Sequence, residues 1–157
     1  MAQSDMSFNV IDVETANEDR ASICQIGIVK VQDGEIREQW KTLINPEERF
    51  DPWNVEIHGI DEQTVENSPT LPEVSAQLRE QLQGTTLISH TAFDRVALNR
   101  ALDKYGLQSI DVAWLDSARI VRRAWPDIYG QRGWGLKNVA KDFSISFKHH
   151  EVSCLAS

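Results

Sequence analysis

Apolar and polar residues alternate along Phe8-Asn9-Val10-Ile11-Asp12-Val13-Glu14-Thr15, and this period of two predicts a strand over 7–15. Asp12 and Glu14 are two apart, so both project from one face at the strand's end. A polar stretch, Ala16–Arg20, leads to a second alternating run, Ile23–Val31. Asp33-Gly34 then predicts a tight hairpin turn, because both positions tolerate positive φ. It feeds a third strand, Glu35–Ile44, closed by Asn45-Pro46. Three antiparallel strands with the carboxylate strand first are the expected product.

The period changes after that. Phe50–Ile60 reads as irregular and aromatic, and Asp61 as the cap of a short helix through Val65. Thr70 as N-cap and Pro72 in the first turn open a helix with Val74, Leu78 and Leu82 on one face, and Gly84 stops it. Thr85–Ser89 is a short buried strand. A helix after Thr91 offers Val96, Leu98, Ala101 and Leu102 for burial and ends near Gly106. Ile110–Leu115 supplies a fifth strand and Asp116–Trp125 a helix. Gly130–Gly135 reads as a loop, because no strand leads into its glycines as a phosphate cradle requires. Leu136–Phe143 is a last helix with Leu136, Val139, Ala140 and Phe143 facing inward. Strands first, then helix and strand in alternation, predict an α/β fold: a mixed sheet flanked by helices.

Composition adds bounds. The 157 residues, 41% apolar with five Trp, suit one folded domain over 1–157. No apolar run approaches the roughly 18 residues of a membrane span. Met1-Ala2-Gln3-Ser4-Asp5 lacks the basic and apolar parts of a signal peptide, which points to the cytoplasm. Cys24 and Cys154 suggest neither a disulfide framework nor a zinc site. The net charge of −8 speaks against a polyanionic partner, but it is unevenly placed. Residues 119–150 carry seven Lys or Arg against Asp127 and Asp142, a net +5, which leaves −13 in the remainder. Such a segment suits a phosphodiester ligand and equally a solvated helix face.

Two carboxylates side by side at the end of a central strand repel each other unless one is protonated or a cation lies between them. Mg²⁺ is a natural occupant, being held by one or two carboxylates plus phosphate oxygens. The alternative is a strand running out into solvent. Asp94 is a third acid, in the first turn of a helix that directly follows a buried strand. Thr91-x-x-Asp94 also fits a capping box, and an acid there suits the helix dipole. If Thr85–Ser89 neighbours the first strand, Asp94 faces Asp12 and Glu14. His149 and His150 are able to accept a proton near neutrality or simply to face solvent. The five Trp read as core and loop anchors.

These pieces together resemble the DEDDh 3′–5′ exonucleases, the DnaQ-like group that includes the proofreading subunit of bacterial DNA polymerase III, RNase T and oligoribonuclease. Ile11-Asp12-Val13-Glu14-Thr15 matches the first motif, His90-Thr91-Ala92-Phe93-Asp94 the second, and His149-His150-Glu151 part of the third. Ile57-His58-Gly59-Ile60 matches a further family segment, and the resemblance runs from Phe8 to Glu151. The departure is at the end. The family's third motif is His, four residues, then Asp, whereas Leu155 stands five after His150 and Cys154 five after His149. The last stretch therefore reads as a truncated or altered end.

The resemblance implies a ribonuclease H-like fold with a five-stranded mixed sheet. It implies stepwise hydrolysis of single-stranded DNA or RNA from a 3′ end to 5′-mononucleotides, with two Mg²⁺ or Mn²⁺ ions as cofactors. Asp12, Glu14 and Asp94 become metal ligands and His150 the base that deprotonates the attacking water. Val13, Thr15, His58 and Phe93 shape the pocket for the terminal nucleotide. A polymerase or another replication or repair protein is the implied partner, with no membrane involved. With the final Asp absent, impaired catalysis is expected; the alternative is an inactive nucleic-acid-binding module of the same fold.

Overall fold

The computed structural model describes residues 6–145, so His149, His150 and Leu155 lie outside the described residues. Five strands form one sheet: β1 (Ser7–Thr15), β2 (Ile23–Gln32), β3 (Glu35–Leu43), β4 (Thr86–Ser89) and β5 (Ala113–Asp116). Their order is β3-β2-β1-β4-β5. β1 and β2 pair antiparallel, as do β2 and β3, whereas β4 runs parallel to β1 and β5 parallel to β4. The mixed sheet and the neighbouring of β1 and β4 are as the pattern predicts.

Seven helices complete the described residues: α1 (Pro52–His58), α2 (Glu62–Val65), α3 (Leu71–Leu82), α4 (Phe93–Lys104), α5 (Ser117–Ala124), α6 (Pro126–Tyr129) and α7 (Leu136–Asp142). Ile11 and Val13 of β1 and Ile26 and Ile28 of β2 pack with Leu78 and Leu82 of α3 and Leu98 and Leu102 of α4. Each fully buried aliphatic side chain in such a cluster stabilises by roughly 1.5–3 kcal/mol. Among the described residues no helix is long and apolar enough to cross a membrane.

Several local readings need correction. Phe50–Ile60 is not irregular: Asp51 accepts a hydrogen bond from the Trp53 N–H at 2.9 Å, Pro52 opens α1, and Gly59 closes it at φ 74°. The helix buries none of its residues, so it lacks the periodic apolar stripe that would reveal it. α6 is likewise an unforeseen single turn. β5 covers only Ala113–Asp116 rather than 110–115, and Asp116, read as the start of the next helix, ends the strand and caps α5. In α4 the inward positions include Ala97, with Val96 only half-buried. In α7 Val139 and Ala140 face in, but Leu136 and Phe143 remain 38% and 48% exposed. Phe143 instead rests edge-on against Trp125, centroids 5.1 Å apart.

Candidate active site

β1 delivers its carboxylates by simple alternation. Ile11, Val13 and Thr15 turn to the buried side, while Asp12 and Glu14 share the other face. β4 pairs with β1 only at Asn9 and Val10, so beyond that register the β4-facing edge of β1 is open. Asp94 fills it. Its Oδ1 accepts a hydrogen bond from the Val13 N–H at 2.9 Å, linking residues 81 positions apart. The capping-box reading of Thr91 and Asp94 is overturned: the N-cap is Ala92, without a side-chain cap bond, and Thr91 adopts a left-handed φ of 72°. Thr91 is held there by its own N–H, which donates to Asp116 Oδ1 at 2.9 Å. Asp94 is thus drawn onto β1, where a charge-assisted bond to a buried N–H contributes about 1.5–3 kcal/mol.

Asp12, Glu14 and Asp94 line one cavity of about 520 Å³, together with Val13, His90 and Phe93. Burial, then the charges of Asp94 and Glu14, push the Asp12 carboxyl up to about 8. Burial and Asp94 push Glu14 up to about 7, with Lys41 of β3 pulling the other way. Asp94, only 5% exposed, is raised by burial to about 6 although the Val13 N–H favours its anion. Three acids that resist ionisation together form a site short of positive charge. Their all-oxygen donor set suits hard cations such as Mg²⁺ or Mn²⁺. Among the described residues no three carboxylate, imidazole or thiol groups are gathered at ligating distance.

A second, smaller cavity of about 290 Å³ adjoins the first, sharing Glu14 and Phe93 with it. Thr15 and His58 line it, so all four residues read as substrate-binding stand around the carboxylates. Their roles differ in kind. The His58 Nε2–H donates to the Thr15 carbonyl at 3.0 Å, and Nδ1 accepts from the Ile60 N–H at 3.0 Å. Nε2 thus braces α1 against β1 while Nδ1 closes the turn at Ile60, and burial holds the imidazole below its usual range, which favours the neutral ring. Asn54 adds a bond from Nδ2–H to the same carbonyl at 2.9 Å. Phe93 is open to ligand on one side and covered by the Arg20 guanidinium, 5.4 Å from its centroid, on another.

Sequence reading missed two participants, His90 and Ser117. His90 bonds through Nδ1 to Ser117 Oγ at 2.8 Å, and its Nε2–H donates to the Trp134 carbonyl at 2.7 Å. It therefore ties β4, α5 and the 130–135 loop into one wall of the cavity. Trp134 is in turn covered by Arg122, 4.4 Å from the ring centroid. The position of His90 one residue past a buried strand was the available signal, but its partners are 27 and 44 residues away.

The exonuclease model named for RNase T matches residues 10–151. DNA polymerase III of PolC type from Lactococcus lactis subsp. lactis is 28% identical over 150 residues, covering 94% of this chain and 9% of that protein. Its counterpart from Caldanaerobacter subterraneus subsp. tengcongensis is 28% identical over 146 residues, covering 91% and 10%. The chain thus spans about a tenth of the length of these relatives. In fold it is similar to Exonuclease X in complex with 5′ overhanging duplex DNA, with a TM-score of 0.70 and 22% identity over 90% of this chain and 75% of that one. The nuclease domain of 3′hExo, a DEDDh family member bound to rAMP, superposes with a TM-score of 0.74 at 17% identity over 94% and 84%. With the ribonuclease H-like sheet, two acids at the end of β1 and Asp94 in the first turn of α4, the chain belongs to the RNase T exonuclease family, a DnaQ-like family of 3′–5′ exonucleases.

Proposed function

We propose that this chain hydrolyses single-stranded nucleic acid, with DNA favoured, from the 3′ end and releases 5′-mononucleotides. The observation that carries this reading is the convergence of Asp12, Glu14 and Asp94 on one cavity, each carboxyl raised by burial and the first two also by a neighbouring acid. These three would hold Mg²⁺ or Mn²⁺. When bound, the ions supply positive charge to the attacking and leaving oxygens of the scissile phosphate. Asp94 also fixes the end of β1 through Val13, and the pocket of Thr15, His58 and Phe93 receives the terminal nucleotide. His150 takes the proton from the attacking water as its oxygen bonds to phosphorus and the bond to the preceding 3′ oxygen breaks. The likeness to PolC-type polymerases supports DNA as substrate and a place beside a polymerase in replication or repair.

A second reading rests on one sequence observation: Leu155 stands where the family carries its last acid, five residues after His150. Three carboxylates leave a two-ion site under-neutralised, so catalysis is impaired, and at the limit the chain binds strands without shortening them. The test is a 5′-labelled ladder assay on DNA and RNA strands with Mn²⁺, run on the chain, on Leu155→Asp and on Asp12→Asn. A ladder from the unaltered chain that Asp12→Asn abolishes supports the enzyme. Activity confined to Leu155→Asp supports a competent fold disarmed at that position. Strand binding without shortening in all three supports the binding module, and absence of both binding and cleavage refutes the nucleic-acid reading.

A further inference from the structure

β1, β4 and β5 are parallel, so all three end at the same edge of the sheet. The carboxylate cavity opens between the ends of β1 and β4. The next crevice along, between β4 and β5, holds a separate groove of about 550 Å³ that shares Ser89 with it. Ligands of open α/β sheets gather at such strand ends. We propose that this β4/β5 groove binds backbone phosphates of the nucleic acid outside the cleavage cavity, an inference that rests on the nucleic-acid reading above.

Three arginines line the groove: Arg95 from α4, and Arg119 and Arg123 one helical turn apart on α5. All three side chains are exposed, and none forms an ion pair among the described residues. The acid in the groove, Asp116, is already engaged: its Oδ1 accepts from the N–H groups of Thr91, Ala118 and Arg119 at 2.9, 2.9 and 3.4 Å. Three guanidinium groups thus face solvent over a single committed carboxylate, an arrangement matched to phosphate oxygens. The walls are fixed. Asp116 clamps the 90–92 turn to α5, and His90 and Ser117 bond across the ridge between the two cavities.

The whole-chain charge strengthens the assignment. At −8 the protein repels a polyanion at long range, so strand binding needs a local positive field near the cavity. The groove supplies one at the adjoining crevice. Leu115 and Ile120 on its rim are 44% and 45% exposed and offer apolar contact to sugars and bases.

The test measures binding of a labelled single strand and of a duplex with a recessed 3′ end by fluorescence anisotropy, from 0.05 to 1 M salt. Ca²⁺ replaces Mg²⁺ or Mn²⁺, and gels verify intact strands. Arg119→Ala/Arg123→Ala is compared with the unaltered chain and with Arg100→Ala, an exposed arginine of α4 outside the groove. Losing two phosphate contacts should lower the salt slope of log K by about 1.4, weakening binding about 25-fold at 0.1 M and converging near 1 M. Equal weakening on both ligands assigns the phosphates to the strand being processed, and weakening on the duplex alone assigns them to its complement. Unchanged affinity and slope in the double variant overturn the proposal while the nuclease reading stands. That result leaves the groove to an acidic protein partner. No binding by the unaltered chain refutes the nucleic-acid reading and the groove with it.

Discussion

Replacing Asp12 by Asn is expected to remove about half of the carboxylate-driven pH dependence of the metal-free protein's stability between pH 5 and 8. Burial and the charges of Asp94 and Glu14 raise the folded Asp12 carboxyl from 3.8 to about 8. Across this window the unfolded chain has already released the proton and the folded chain still binds it. Stability therefore falls as pH rises, by about 1.4 kcal/mol per unit, and levels off above pH 8. From pH 5 to 8 the loss is about 3.6 kcal/mol, and for a domain of this size each kcal/mol moves Tm by about 2–4 °C. The unaltered protein in EDTA should thus melt about 7–14 °C lower at pH 8 than at pH 5 from this group alone. Glu14, raised to about 7, and Asp94, raised to about 6, add to the fall. His58, depressed by burial, acts in the opposite sense by favouring the fold as pH rises, but it is present in both proteins and cancels in their difference. Scanning calorimetry at pH 5, 6.5 and 8 reads the slopes. A Mn²⁺ concentration of 100 Kd should restore about 2.7 kcal/mol at pH 8 in the unaltered protein. Identical pH slopes for Asp12→Asn and the unaltered protein would refute the argument that crowded, buried carboxylates make the site demand a cation.

Two further outcomes follow from the site's frame. At pH 5, where most Asp94 is protonated, Asp94→Ala should cost about 1–3 kcal/mol by leaving the Val13 N–H unpaired. Asp94→Asn keeps an acceptor and should lose less, so chemical denaturation of the two variants separates the structural bond from the charge. Gly59 closes α1 at φ 74° with open space around its absent side chain. Gly59→Ala should therefore cost about 1–2 kcal/mol from backbone strain alone, read as a lower denaturation midpoint with an unchanged slope.

Much of this protein is legible in local sequence. Alternation at Phe8–Thr15 places Asp12 and Glu14 on one face, Asp33-Gly34 joins the next two strands, and the Val74, Leu78 and Leu82 stripe marks α3, because each signal is contained within one element's own period. The ordered motifs around Asp12, Asp94 and His150 carried the family. What depends on elements meeting was not legible. α1 buries no face and so leaves no stripe to read. The pairing of Asp94 with the Val13 N–H looked like a helix cap, since nothing near Asp94 reports that β4 stops pairing with β1 after Val10. The arginine groove has the same origin: Arg95, Arg119 and Arg123 read singly as surface charge, and only the parallel endings of β4 and β5 bring them to one crevice. Sequence by itself determined the strands, the acids and the chemistry they suit. Tertiary structure decided which acid braces which backbone and where the positive charge lies, because those contacts span 25 to 81 residues and no local period encodes them.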